Sequence, residues 1–184
     1  MTETERPSVL TGHTDVREAE AFDSVYVRGV PPWDIGRPQP AFAELAERGL
    51  LAGRVLDAGC GTGEQALMAA ALGLEATGFD VAATAVAMAG AKAGDRGLEA
   101  RFLQLNALVL SGLGEQFDTV LDCRLFHSFG DDHDRPGFVK ELRASMPAGG
   151  HYYKPRPGWP PSPACDGSPP APGRGVGNPE QPSE

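Results

Sequence analysis

The chain has 184 residues, 41% of them hydrophobic and 22% charged, which suits one globular domain with a core and is short for two. No run of about 18 apolar residues occurs, which excludes a membrane-spanning helix. The net charge of −9 argues against a nucleic-acid partner, because a phosphate backbone would be repelled.

The cysteine content and the N-terminus favour a cytoplasmic protein. The three cysteines are odd in number and lack the spacing of a metal site, which is typical of a reducing compartment. The first residues are polar and acidic, without the basic start and apolar stretch of a secretory signal.

The first part of the chain combines two short helices with a loop rich in proline and glycine. Thr14 is a good N-cap, and a helix is predicted from there to about Asp23. The irregular segment VRGVPPWDIGRPQP follows, and Pro40 then begins a helix that Gly49 ends. We expect residues 1–52 to form cap helices and a segment that covers a ligand site.

Strand-like and helical patterns alternate from Arg54 onward. Five strands are predicted, with the sequences RVLDAG, LEATGFD, LEARFLQL, QFDTVLDC and HYYK. Three longer helices are predicted between them: EQALMAAAL, an alanine-rich segment from about Ala82 to Lys92, and RPGFVKELRASM. This alternation predicts an α/β fold with a doubly wound, mostly parallel sheet over residues 53–154.

The composition changes abruptly after Lys154. Residues 155–184 contain 10 prolines and 5 glycines and have no periodic apolar face. Such a segment cannot bury enough surface to offset the entropy of ordering it, so we expect a disordered tail.

The stretch after the first strand carries the most specific signal. VLDAGCGTG, residues 55–63, places three glycines between a strand and a helix, at the sheet edge where α/β proteins bind ligands. Glycines let the backbone turn sharply and approach a ligand, and the next helix offers free N–H groups to an anion.

This stretch resembles the first motif of the class I S-adenosylmethionine (SAM)-dependent methyltransferases, an acid followed by x-G-x-G-x-G. The resemblance implies a Rossmann-like fold with SAM as cofactor. It places Gly59, Cys60, Gly61 and Gly63 around the methionine part of SAM and Asp57 near its amino end.

Two competing interpretations of the glycines rank below the SAM site. A nicotinamide-binding domain has the fingerprint G-x-G-x-x-G, which requires glycine where Glu64 stands. A glutamate there would crowd the packing of helix on strand and repel a pyrophosphate. The second competing interpretation is a purely structural turn that binds no ligand.

Two further strand ends add candidate ligand contacts. Asp80 ends the second strand, where a carboxylate can accept both ribose hydroxyls, and Val81 follows it; an N-cap is the alternative role for Asp80. Asn106 and Ala107 follow the third strand, where the family often has an acid–Ala pair beside the adenine. Asn106 can bond the adenine edge or act as a plain turn residue.

The loop after the fourth strand faces the transferred methyl group in the family. Placement of the two reactants can supply most of the acceleration, so a base is needed only for an acceptor that arrives protonated. His127 or Asp122 could be that base, and Asp122 is also a candidate cofactor contact. A structural histidine is the alternative. In the run Asp131–Asp134, Asp134 is expected to cap a helix, and no metal site is expected.

The segment VPPWDIGRPQPAF resembles the cofactor cover of small-molecule methyltransferases of the thiopurine and tellurite-resistance type. The resemblance implies that Trp33 closes over SAM, with Asp34 and Arg37 nearby; a simple hydrophobic plug is the alternative role for Trp33. The PPW sequence also echoes the Asp/Asn-Pro-Pro-aromatic motif of DNA amino-methyltransferases, but Val30 stands at its first position, which excludes that motif.

The resemblance ends near residue 154, where class I methyltransferases normally add two strands and a helix. We therefore expect a fold truncated after strand five, by a frameshift or a shortened chain, with an exposed edge. That edge predicts a monomer or a weak homo-oligomer. The predicted function is methyl transfer from SAM to a small molecule in the cytoplasm. The alternatives are an inactive SAM-binding remnant or regulatory module and, ranked lower, a nicotinamide-dependent oxidoreductase.

Overall fold

A computed structural model of the protein describes residues 16–129 and 134–155. The strands are β1 (Arg54–Ala58), β2 (Glu75–Asp80), β3 (Ala100–Gln104), β4 (Thr119–Asp122) and β5 (His151–Tyr153). The helices are α1 (Val16–Val27), α2 (Pro40–Glu47), α3 (Glu64–Ala71), α4 (Ala83–Arg96), the short α5 (Leu125–Ser128) and α6 (Asp134–Ala144). A 3-10 helix covers Ala107–Leu113.

The five strands form one sheet in the order β3-β2-β1-β4-β5, and every neighbouring pair is parallel. This confirms the doubly wound sheet that the alternating pattern predicted. The strand order reverses between β1 and β4, which is where open α/β sheets bind ligands. In the register of the sheet, Asp57 lies beside Gly78 and Ala58 beside Asp122, so the carboxyl ends of β1, β2 and β4 meet at one edge.

Successive strand residues point to opposite faces and build two cores. Leu56 and Val120 belong to one core, together with Phe138 of α6 and residues of the 3-10 helix. Val55 and Leu121 belong to the other, together with residues of α2 and α3. All five side chains are essentially inaccessible to solvent, and this double burial explains why the strands read as nearly continuous apolar runs.

Helix α4 is longer than the sequence predicted. It continues to Arg96, so the predicted end at Lys92 was wrong. The helix ends at Gly97, which has a φ of 62°, and the N–H of Leu98 donates to the carbonyl of Ala93 at 3.0 Å. Gly97 provides the left-handed residue that this C-cap requires. The glycines that precede it lie inside the helix and do not end it.

Other differences lie at element ends and in loops. Helix α1 continues to Val27, past the predicted end at Asp23. The 3-10 helix and α5 were not predicted, because they are too short to show an apolar period. No helix in residues 16–129 or 134–155 is long and apolar enough to cross a membrane.

Some predictions fall where the structure gives no description. Thr14, residues 131–133 and the chain from residue 156 lie outside the described residues. The expected disordered tail and the division at residues 52 and 154 therefore stay predictions.

Candidate functional site

The glycine loop joins β1 to α3 and is left-handed at each of its three motif glycines. Gly59, Gly61 and Gly63 have φ values of 67°, 51° and 85°. A β-carbon on Gly63 would lie 2.7 Å from the ring of Phe102 and 2.8 Å from Ala89. Glycine is thus required there by the packing of α4 and β3 on the loop as well as by its backbone conformation.

Asp80 fixes the loop from the end of β2. Its Oδ2 accepts a hydrogen bond from the N–H of Gly61 at 2.9 Å, and its Oδ1 accepts one from the N–H of Ala82, also at 2.9 Å. Burial raises the pKa of Asp80, and the backbone hydrogen bonds from Ala82 and Gly61 oppose this shift. The residue therefore holds the predicted position at the carboxyl edge of the sheet, but it is not the N-cap of α4, which is Ala82.

Asp57 is fully buried beneath the loop rather than exposed to a ligand. Its Oδ2 accepts a hydrogen bond from the N–H of Ala66 at 3.1 Å and so caps α3. Its Oδ1 is buried without a hydrogen-bond partner among the described residues. Burial, and then the charges of Asp80 and Asp122, raise the pKa of Asp57 to about 7.

A cavity of about 280 Å³ opens at this edge of the sheet, close to the lower limit of about 300 Å³ for small-molecule pockets. Eight residues predicted from the sequence line it: Trp33, Gly59, Cys60, Gly61, Asp80, Val81, Asn106 and Ala107. The cavity lining does not include the other four predicted site residues, Asp57, Gly63, Asp122 and His127.

Residues 31–39, here called the cover segment, form one wall of the cavity. Trp33, Asp34 and Arg37, which the resemblance placed at the cofactor, line the cavity. The indole N–H of Trp33 donates to the phenol oxygen of Tyr26 at 3.2 Å, and the two rings meet edge to face. Tyr26, which the sequence analysis did not single out, lines the cavity from α1.

Asn106 lines the cavity at the end of β3 and also caps the 3-10 helix. Its Oδ1 accepts a hydrogen bond from the N–H of Leu108 at 2.9 Å. The turn role that the sequence left open is therefore present. The cap uses only the side-chain oxygen, so the amide nitrogen can still donate a hydrogen bond to a ligand.

Neither of the two candidate bases lines the cavity. Asp122 is buried, and its Oδ2 accepts hydrogen bonds from the hydroxyl of Tyr152 at 2.7 Å and the N–H of Phe126 at 3.1 Å. His127 is exposed; partial burial of its ring, and then the positive charge of Lys154, lower its pKa. The base role of either residue stays a prediction.

The loop after β4 still contributes to the cavity, through residues that the sequence analysis did not select. These are Cys123, Arg124, Leu125, Ser128 and Phe129. The only sequence signal for these residues was the position of their loop at the carboxyl edge of the sheet. Among the described residues, no three His, Cys, Asp or Glu side chains are grouped to hold a metal ion.

Glu64 lines the cavity, but two cations hold its carboxylate. Its carboxylate is buried between Lys92 at 2.7 Å and both guanidinium nitrogens of Arg96 at 2.8 and 2.9 Å. Burial alone would raise the pKa of Glu64, but the bonds from Arg96 and Lys92 outweigh it and lower the pKa. The two cations neutralise this carboxylate. Its charge therefore repels a pyrophosphate less than the sequence suggested.

Residues 55–150 match a family model described as a methyltransferase domain. The chain belongs to this family. The methyltransferase domain thus begins in β1, includes the glycine loop and ends just before β5.

Two curated methyltransferases are similar to about two thirds of the chain. The chain is 38% identical over 123 residues to 2-heptyl-1-hydroxyquinolin-4(1H)-one methyltransferase of Mycobacteroides abscessus, covering 66% of this chain and 54% of the relative. It is 30% identical over 139 residues to probable thiol methyltransferase 2 of Arabidopsis thaliana, covering 70% and 58%.

A solved structure described as "Conversion of a Disulfide Bond into a Thioacetal Group during Echinomycin Biosynthesis" is also similar. It is 47% identical to this chain, with a TM-score of 0.66, over 70% of this chain and 57% of that one. The chain therefore spans a little over half the length of these methyltransferases and of this structure.

Proposed function

We propose that this chain binds SAM and transfers its methyl group to a small-molecule acceptor. The observation that carries the proposal is Asp80, which holds the glycine loop and lines the cavity at the same time. Each of its carboxylate oxygens accepts one backbone hydrogen bond and has a further lone pair, so it can accept the ribose hydroxyls of a nucleoside.

The charge around the cavity suits a cationic cofactor. Asp34 and Asp80 line it, and the buried Asp57 and Asp122 lie behind its wall. SAM, when bound, supplies a methyl group on a positively charged sulfur. Asp57 is partly protonated near pH 7, because its pKa is about 7. The negative potential that favours a ligand with such a charge therefore comes mainly from the other carboxylates.

The acceptor is proposed to be a small apolar molecule with a hydroxyl or thiol group. Phe22, Ile35, Leu125 and Phe129 give the cavity an apolar wall, and Arg124 adds a polar group, which is the usual make-up of a small-molecule site. The names of the two curated relatives, a hydroxyquinolone and a thiol methyltransferase, support such an acceptor.

Catalysis by this site is proposed to depend on placement. The cover segment and the glycine loop hold the cofactor, the loop after β4 orients the acceptor, and exclusion of water strengthens the electrostatics. We propose His127 as the base for protonated acceptors, with Asp122 as the other candidate. The cytoplasm is the proposed location, because the cysteines of the sequence are odd in number and lack the spacing of a disulfide framework or a metal site.

Titration calorimetry with SAM tests the proposal with a matched pair of variants. D80A removes a carboxylate that bonds backbone N–H groups at the cavity. D118A removes one that bonds the N–H of Arg54 at 2.8 Å, at the opposite edge of the sheet. D80A should weaken SAM binding at least about tenfold, the usual effect of losing hydrogen bonds to a charged group, and D118A should leave it unchanged.

Equal SAM affinity in D80A and the wild-type chain would contradict the cofactor site. Tight SAM binding without methyl transfer to any thiol or hydroxyl acceptor would favour the alternative of a binding module. That outcome separates the cofactor proposal from the activity proposal.

A further inference from the structure

A polar network connects the cover segment to the rest of the cofactor site. We call it the latch network, and its members are Asp34, Thr62, Glu64, Lys92 and Arg96. They come from the cover segment, from the glycine loop with the adjoining start of α3, and from helix α4. The network therefore joins three parts of the chain that are distant in sequence.

Thr62 and Lys92 are the centre of the latch network. The hydroxyl of Thr62 donates to Asp34 Oδ2 at 2.5 Å. Because a hydroxyl has a single proton, Thr62 must accept the bond from the ammonium of Lys92 at 2.7 Å. The same ammonium lies 2.7 Å from Glu64 Oε1 and 3.7 Å from Asp34 Oδ2. Lys92 thus bridges two carboxylates and the glycine loop.

The two carboxylates of the network differ in how many cations they contact. Glu64 has both Lys92 and Arg96 within 2.9 Å, whereas the latch network supplies only Lys92 to Asp34. The side chains of Asp34 and Glu64 are only 9% and 6% exposed. Asp34 also accepts hydrogen bonds from the hydroxyl of Thr62 and the N–H of Gly36, but neither group carries a charge. A buried carboxylate is costly without an opposing charge, so the position of Asp34 depends on Lys92 more than that of Glu64 does.

We propose that Lys92 is a positioning residue for cofactor binding. It holds Asp34 against Thr62, and this contact fixes the wall that the cover segment forms over the cavity. Lys92 does not line the cavity itself, so it acts through Asp34 and Thr62. The inference rests on the proposed function where it concerns affinity for SAM.

K92M and R96M form a matched pair of variants. Each removes one cation from Glu64, but only K92M removes a contact to Thr62 and Asp34. K92M should weaken SAM binding about tenfold, and R96M should change it by less than about threefold. The conservative variant K92R keeps the charge and should retain most of the affinity. Equal losses in K92M and R96M, or none in either, would overturn the proposal.

Fluorescence of Trp33 gives a readout that does not depend on SAM. The chain has two tryptophans, Trp33 and Trp159, so a W159F background reports on the cover segment alone. Without ligand, acrylamide should quench Trp33 more strongly in K92M than in R96M, because the segment is released. Equal quenching in the two variants would contradict the proposal.

The two measurements separate the inference from the proposed function. If the wild-type chain does not bind SAM, the proposed function fails, and the quenching comparison still decides whether Lys92 positions the cover segment. A third variant tests the coupling directly. D34N removes the charge that Lys92 neutralises, so D34N/K92M should bind SAM no more weakly than K92M. Additive losses would mean that the two residues act separately, against the proposal.

Discussion

The phenol oxygen of Tyr26 occupies the space where a side chain on Gly61 would lie. A β-carbon on Gly61 would come within 2.9 Å of this oxygen, and the backbone there has a φ of 51°. Tyr26 belongs to α1 and also accepts the hydrogen bond from Trp33. The N-terminal helix therefore contacts the glycine loop directly, and this contact adds to the requirement for glycine.

Replacing Gly61 by alanine should destabilise the protein for two reasons. The left-handed conformation costs about 1–2 kcal/mol for a residue with a β-carbon, and Tyr26 must also move. Gly49 has a φ of 65° and nothing within 4 Å of a β-carbon, so G49A carries only the backbone cost. Urea denaturation should show a larger loss in G61A than in G49A, and only G61A should weaken SAM binding. The same losses in both variants would show that the contact with Tyr26 is unimportant.

The raised pKa of Asp57 predicts that the stability of the protein depends on pH. Replacing Asp57 by asparagine should abolish this dependence. Its folded pKa of about 7 lies above the ordinary value of 3.8, so the folded chain binds the proton more tightly. As the pH rises from about 4 to about 7, the free energy of unfolding should therefore fall, by at most about 1.4 kcal/mol per pH unit. Denaturant titrations across this range measure the difference in free energy of unfolding between the wild-type chain and D57N. This difference should change with pH. A constant difference would contradict the prediction.

Asp23 lies in α1 and should stabilise the start of α4. Its Oδ1 accepts the N–H of Thr84 at 2.7 Å and its Oδ2 the hydroxyl of Thr84 at 3.1 Å. The N-cap residue of α4, Ala82, has no side chain for this role. D23A should lower the free energy of unfolding by about 1 kcal/mol, as for other lost caps, and D23N should retain most of it. Unchanged stability in D23A would mean that the bond to Thr84 contributes nothing.

The proposed base role of His127 has a kinetic signature. Its pKa lies below the ordinary value of 6.5, so the imidazole is neutral at pH 7 and activity should be lost only as the pH falls through that lower pKa. H127A should lower kcat/KM about 10²–10⁴-fold for a protonated acceptor and leave an acceptor that is already ionised unaffected. SAM affinity should not change, because a base acts on the acceptor and not on the cofactor. Full activity of H127A on both acceptors would show that placement suffices.

The sequence by itself determined the parallel sheet and eight of the residues that line the cavity. The central strands are short, nearly continuous buried runs, and the glycines of residues 55–63 and Asp80 stand at fixed positions relative to strand ends. Parallel strands bring their carboxyl ends to one edge, so the position of Asp80 in the sequence already placed it at the edge where the cavity opens. Local pattern and sheet geometry suffice for these predictions.

The tertiary structure alone decided which polar side chains face the cavity. Asp57 and Asp122 were predicted at the right edge, but they accept hydrogen bonds behind the wall, from the N–H of Ala66 and the hydroxyl of Tyr152. The partners of Asp122 and of Lys92 are 30 and 28 residues away in the chain, at Tyr152 and Glu64. No local period reports such pairs, because they form only when the order of the strands brings distant segments together.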